Sequence, residues 1–238
     1  MAPSRRQMLG LLAASALPLQ LSAQESAAQT APQRPDHFQL GIPDLDQGID
    51  IVRNLTGIDP AHGGAHPGYG TRNALASLGA GSYLEILALD PAQSELKTPR
   101  TERIHGLAGP TILTFALQTT AIDAKLAQMN AIPGLTGKLD RRSRKAADGS
   151  TLEFTTLVID SPFGPQVPFF IDWRNTPHPS ATAPAGCQLL EFVTLHPDAE
   201  ALREIYRRLD ITIPVEAAAK PGFIAKIRSP KGNVTFLG

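Results

Sequence analysis

Apolar residues recur along this chain with a period that changes several times, and the changes mark its elements. From His37 to Ile42, the residues Phe38, Leu40 and Ile42 alternate with His37, Gln39 and Gly41, the two-residue period of a strand with one buried face. The period then lengthens. Leu45, Ile49, Val52 and Leu55 fall on one stripe of a helix, with Asp44 placed to cap its start and Gly57 to end it. Strand-like runs follow from Arg72 to Leu78 and from Tyr83 to Leu89, joined by Gly79-Ala80-Gly81.

The same succession then returns. Leu113, Phe115 and Leu117 predict the buried side of a strand, Ile122, Leu126 and Met129 a helix stopped at Pro133-Gly134, and the runs 151–159 and 167–173 two further strands. A third round carries Leu190 and Phe192, then a helix from Asp198 with Leu202, Ile205 and Leu209, then strands over 223–228 and 234–237. The rounds begin near Asp36, Thr111 and Gln188, a repeat of roughly 75 residues. The third is either a shortened copy or a C-terminal extension. Each round sets one helix before consecutive antiparallel strands, which can curl over it with one face apolar and the other polar enough to line a cup.

The N-terminal residues break this pattern. Ser4-Arg5-Arg6-Gln7-Met8-Leu9 is a twin-arginine pattern, an apolar run reaches Leu21, and Leu21-Ser22-Ala23 is a small-residue cleavage site. The run is interrupted by Pro18 and is shorter than the ~20 residues that span a bilayer, so a removable signal over 1–23 is expected rather than a stable membrane anchor. Residues 24–35 offer little to a core and read as a flexible spacer, leaving 36–238 as the folded domain. The expected location is periplasmic or secreted, after passage through the twin-arginine export machinery.

Charge narrows the partners. The chain has 22 basic and 22 acidic residues; losing Arg5 and Arg6 leaves 20 against 22, a net −2, which argues against nucleic acid or an anionic membrane surface. Cys187 is the single cysteine, so no internal disulfide forms, and a small buried residue is the expected role. No glycine-rich phosphate loop follows a strand, and no serine-hydrolase elbow is present.

Asp36-His37-Phe38, the segment His66-Pro67-Gly68-Tyr69-Gly70-Thr71-Arg72-Asn73-Ala74-Leu75, and Tyr83-Leu84-Glu85-Ile86 together resemble the glyoxalase-like domain proteins of the vicinal oxygen chelate superfamily, as does Pro168 to Trp173 with His178-Pro179 after it. The resemblance covers nearly all of 36–238. It implies an α+β fold in which repeated βαβββ modules form a U-shaped cup of mostly antiparallel strands with helices packed outside. It also implies a divalent metal at the cup floor in many members, drawn from the first and last strands of a module. Function stays open, since the fold serves isomerases, ring-cleaving dioxygenases, thiol transferases and metal-free drug-binding proteins.

Alternation sets His37 and Gln39 on one face of the first strand, and Tyr83 and Glu85 on one face of the last strand of that module. If those strands are neighbours, His37 and Glu85 open on one cavity as metal ligands for zinc, iron, manganese or nickel. In the second module, Ile112 takes the place of His37 and cannot ligate. A third ligand would have to be Asp172, if Phe169 and Ile171 turn to the core, or a loop histidine, His66 or His105. Glu85 and His66 are the candidate catalytic groups, the carboxylate as base and the imidazole as proton shuttle on a glycine-rich loop over 61–70. Gln39, Asn73, Tyr83, Trp173 and His178 are the candidate substrate contacts. Asp140 and the basic run 141–145 read as a solvated hairpin tip. These residues predict a metal-dependent enzyme of lyase, isomerase or dioxygenase type acting on a small oxygen-rich substrate; the alternative is a metal-free small-molecule binder.

Overall fold

The computed structural model describes residues 33–145, 149 and 151–238. The expected export signal over 1–23 and most of the expected spacer over 24–35 lie outside the described residues. The first module is β1 (His37–Gly41), α1 (Leu45–Thr56), β2 (Ala61–His66), β3 (Thr71–Ser77) and β4 (Tyr83–Leu89). A short helix α2 (Pro99–His105) leads to the second: β5 (Thr111–Gln118), α3 (Ile122–Asn130), β6 (Thr136–Lys145), β7 (Thr151–Asp160) and β8 (Phe169–Asp172). The third part is β9 (Gln188–His196), α4 (Ala199–Arg208), β10 (Val215–Ala217), β11 (Gly222–Ser229) and β12 (Gly232–Leu237).

The first two modules share one eight-stranded sheet in the order β2-β3-β4-β1-β5-β8-β7-β6. Each half repeats the other: the opening strand pairs in parallel with the closing strand, β1 with β4 and β5 with β8, and the halves join along antiparallel β1 and β5. The predicted α+β fold of βαβββ modules is the fold observed. α1 starts where Asp44 accepts the Gln47 N–H and ends at Gly57, whose φ of 79° favours a residue without Cβ. Leu45, Ile49 and Val52 bury against Ala74, Ala76, Leu84 and Ile86 on one face of the sheet. Leu55, expected on that stripe, is 45% exposed.

The third part does not extend the cup. Its four strands form a separate sheet, β10-β9-β11-β12, in which β9 lies beside β11 rather than beside the closing strand. That sheet packs into the same core as the helices, with the Phe192 ring 4.8 Å from Phe115 and 5.7 Å from Phe38. It therefore backs the large sheet on its helix side, leaving the opposite face to the cavity. Among the described residues, no helix is long and apolar enough to cross a membrane.

Two strand faces differ from the simple alternation, for one reason. In β5 the register against β1 slips so that Gln39 pairs with Thr114 but Leu40 with Ile112, leaving Leu113 as the extra residue of a bulge. Ile112, not Leu113, joins Phe115 and Leu117 in the main core. In β9 the register skips Leu190, so Leu189 and Phe192 are buried and Leu190 is 41% exposed. A bulge inserts one residue, and every side chain beyond it changes face.

Two further expectations are corrected at the sheet edges. The glycine-rich segment expected as a loop is edge strand β2 over Ala61–His66, and the charged segment expected as a hairpin tip is edge strand β6. An edge strand needs no apolar face of its own, so neither shows alternation.

Candidate active site

The uncovered face of the large sheet lines a cavity of about 600 Å³. Its floor is polar and is built almost wholly by the first module. β1 and β4 run parallel with Gln39 opposite Glu85 and His37 opposite Tyr83, so all four side chains rise on the same face. Glu85 is the centre. Its Oε1 accepts from Asn73 Nδ2 at 2.6 Å and its Oε2 from Gln39 Nε2 at 2.8 Å. His37 Nε2 stands 3.6 Å from Oε2, and His66 Nε2 3.8 Å from Oε1.

Each imidazole is fixed from behind. Asp36 Oδ1 accepts from His37 Nδ1 at 2.7 Å, while Oδ2 accepts from Trp173 Nε1 at 2.8 Å and from His178 Nε2 at 3.0 Å. An ionised Asp36 can only accept, so His37 Nδ1 carries a proton and Nε2 is the atom turned to the cavity. Tyr83 stacks on the His37 ring with centroids 4.6 Å apart. His66 Nδ1 meets the Thr71 hydroxyl at 3.0 Å, and its Nε2 lies 3.2 Å from Asn73 Nδ2. Asn73 fits because Gly63, the bulged residue of β2 next to its partner Gly64, has no side chain: a Cβ at Gly63 would collide with Asn73 Oδ1.

Burial pushes the Glu85 carboxyl upward, but the charges of His37 and His66 and the amide donors of Asn73 and Gln39 outweigh it and hold the pKa below the ordinary value. Asp36 shows the same contest: burial raises it, while the hydrogen bonds and charges of His178 and His37 bring it down to about 2. Both carboxylates are anions at neutral pH, enclosed by donors rather than by water.

The second module supplies a different wall. Ala116 pairs with His37 across the module seam, and Phe169 and Ile171 of β8 line the cavity beside Trp173 and Phe154. Ile112, expected at the place of His37, is in the opposite core because of the bulge at Leu113. Asp172 shares the far face with Phe170 and accepts from the Arg174 backbone N–H at 2.8 Å, so it is not a floor ligand. His105 is exposed on α2 and lies outside the cavity lining. His178 stands behind the floor, bonded to Asp36, rather than among the cavity-lining residues expected to meet substrate; Gln39, Asn73, Tyr83 and Trp173 are lining residues.

Three groups escaped the reading of the sequence. Asp36 was visible only as a neighbour of His37, though an acid directly before a strand-borne histidine is the available signal. Arg100 lines the cavity from α2, a helix announced by Thr98 as cap and Pro99 at its first position. Asp140 accepts from Tyr69 Oη at 2.6 Å, and Arg142 lies over the Tyr69 ring at 3.9 Å, so the charged strand β6 clasps the turn after β2 across the cavity rim.

Three comparisons bear on this architecture. The glyoxalase-like domain family matches residues 36–209. A hypothetical protein from Staphylococcus aureus is similar in structure, at 17% identity and a TM-score of 0.56, over 85% of this chain and 84% of that one. Methylmalonyl-CoA epimerase from Streptomyces coelicolor is 21% identical with a TM-score of 0.41, over 60% and 96% of the two chains. The Mycobacterium tuberculosis methylmalonyl-CoA epimerase is 17% identical with a TM-score of 0.42, over 66% and 98%. No curated protein matches the sequence. The family match runs through both halves of the cup, the helices between them and the first strand and helix of the third part: the chain belongs to the glyoxalase-like domain family.

Proposed function

We propose that this protein is an enzyme acting on a small oxygen-rich molecule, with a divalent ion held at the cup floor by His37 and Glu85. The observation that carries the reading is the buried line Asp36–His37–Glu85. A separation of 3.6 Å between His37 Nε2 and Glu85 Oε2 is too long for a hydrogen bond. It is close to the roughly 3.4 Å expected between two ligands that each sit about 2.1 Å from one ion. The carboxylate behind the imidazole is the usual partner of a metal-bound histidine.

The fit extends to a pair, not to a ready cage. Among the described residues, no group of three His, Cys, Asp or Glu side chains converges on one point. His66, on the other side of Glu85, is the protein group best placed to complete the set, and a mixed nitrogen and oxygen donor set suits zinc, iron, manganese or nickel. Such an ion supplies Lewis-acid polarisation of substrate oxygens.

The chain's own residues do the rest. Asn73 and Gln39 hold the two Glu85 oxygens in place through donated amide hydrogens. When a substrate displaces one of those donors, the freed oxygen faces the cavity and can accept a proton from a carbon next to a carbonyl. Where His66 is not drawn into the ligand set, its Nε2, held in place by the Thr71 contact at Nδ1, is placed to take that proton. Reaction types that fit are isomerisation, lyase chemistry and dioxygenation. The experiment is chelation: the melting temperature of the purified protein should fall when the ion is removed and recover when it is returned. A melting curve indifferent to chelator and to added metal would count against the reading.

A second reading rests on a specific observation. Both Glu85 oxygens already have amide donors and the second module's wall carries Phe154, Phe169 and Trp173, which suits a metal-free binder of small ligands. The same chelation experiment separates the two.

We further propose that the protein reaches its compartment folded, through the twin-arginine route. The support is the Arg5-Arg6 pair before the apolar run. Replacing both arginines with lysine should leave a precursor inside the cell, and normal export of that variant would remove the assignment.

A further inference from the structure

Two arginines of the cavity lining, Arg100 and Arg141, have no hydrogen bond or ion pair among the described residues; Arg141 is exposed, which leaves Arg100 as the one set into the cavity. Arg100 is partly buried at the start of α2 and lines the cavity, within electrostatic reach of Glu85, Tyr69 and Arg142. Its neighbours are engaged: Arg142 pairs with Asp140 at 2.6 Å, and Arg103 donates to the Leu113 carbonyl at 3.3 Å. Among the described residues, Arg100 makes no hydrogen bond and no ion pair. The one carboxylate on the floor is already surrounded by His37, His66, Asn73 and Gln39. The guanidinium is only partly withdrawn from water, and with no protein acceptor its five donors open on the cavity, free to meet a ligand.

We infer that Arg100 is an oxyanion subsite, and that the substrate carries a carboxylate or phosphate group paired with it. The inference rests on the proposed small-molecule function and narrows its substrate class. A guanidinium presents a planar fork that matches either anion with two parallel hydrogen bonds. The cavity sets the rest of the molecule: an oxygen-bearing end at His37 and Glu85, and an apolar or aromatic body against Phe169 and Trp173. The volume of about 600 Å³ accommodates a compact organic acid and leaves room for it to lie between the two ends.

Trp173 is the only tryptophan and lines the cavity, so its fluorescence reports occupancy directly. Chelator-treated full-length protein is titrated with 3-phenylpropanoate, phenyl phosphate and the neutral 3-phenylpropanamide. Either anion should bind about tenfold more tightly than the amide. Whichever anion binds more tightly identifies the group the subsite takes. Arg100→Gln should erase the preference, Arg100→Lys should keep part of it, and Arg142→Gln should leave most of it. Because an unpaired charge is removed, Arg100→Gln should melt no lower than wild type without ligand; Arg100→Met provides a second charge-free variant. Equal binding of amide and anions by wild type would overturn the inference. So would a preference that survives in Arg100→Gln, or a melting temperature several degrees lower in both charge-free variants. Metal content is measured separately. A metal-free wild type that still prefers anions sinks the metalloenzyme reading alone, and a metal-loaded wild type without the preference sinks the subsite alone.

Discussion

The two halves of the large sheet have the same strand order and the same parallel pairing, yet they face the cavity with opposite chemistry. In the first half, His37 lies beside Tyr83 and Gln39 beside Glu85; in the second, the corresponding pairs are Ala116 beside Phe169 and Gln118 beside Ile171. The fold tolerates both because the common core lies on the other face, where Phe38, Leu84 and Ile86 find their counterparts in Phe115, Leu117 and Phe170. Backbone pairing and core packing thus fix the cup, while its inner face is free to carry a buried polar network on one side and an apolar wall on the other. The chemistry belongs to the first half.

The sharpest way to break that contrast is to remove His37. His37→Ala leaves the buried Asp36 carboxylate without its 2.7 Å hydrogen-bond partner and Glu85 without the imidazole beside it, a loss of about 3 kcal/mol, the upper end for an unsatisfied buried polar group. Urea unfolding of the variant measures it, and bound metal should be lost with it. A cost under 1 kcal/mol would mean that the network is not coupled.

Asp36→Asn tests the layer behind the imidazole. The folded-state pKa of about 2 lies below the ordinary 3.8, so the stabilisation is fully present above about pH 4 and is lost as the pH falls through about 2. The shift corresponds to on the order of 2 kcal/mol at neutral pH. The variant should be less stable by a similar amount at pH 7, and its stability should fall less between pH 4 and 2. Because Asp36 orients His37, metal affinity should also drop roughly 10- to 100-fold.

In the other half, Ile171→Val occupies the place of Glu85 and should cost only about 0.5–1.5 kcal/mol, with metal content unchanged. A loss of metal in this variant would show that the second half shares the floor.

Much of this was legible in the sequence, and the failures share physical causes. β4 was read at its true limits, because alternation across Tyr83–Leu89 is uninterrupted and both of its faces are buried. The approach of His37 to Glu85 followed from face assignment once β1 and β4 were neighbours. Where alternation met a bulge, at Leu113 and Leu190, the assigned faces were wrong by one residue. β2 and β6 stayed hidden because an edge strand can be glycine-rich or charged and still hold one neighbour. Arg100 was missed with its helix: α2 is a seven-residue turn of mostly polar residues, too short to show an apolar stripe. The link from Asp36 to Trp173 and His178 spans 137 and 142 residues, and no local pattern encodes it.

The central claim is that His37 and Glu85 hold a divalent ion, and metal analysis of the protein purified from its own compartment tests it most directly, set against Glu85→Gln. That substitution keeps the size of the side chain and removes the charge. The account predicts close to one ion per wild-type chain and almost none in the variant. A wild type without stoichiometric metal, or a variant that retains it, would contradict the account.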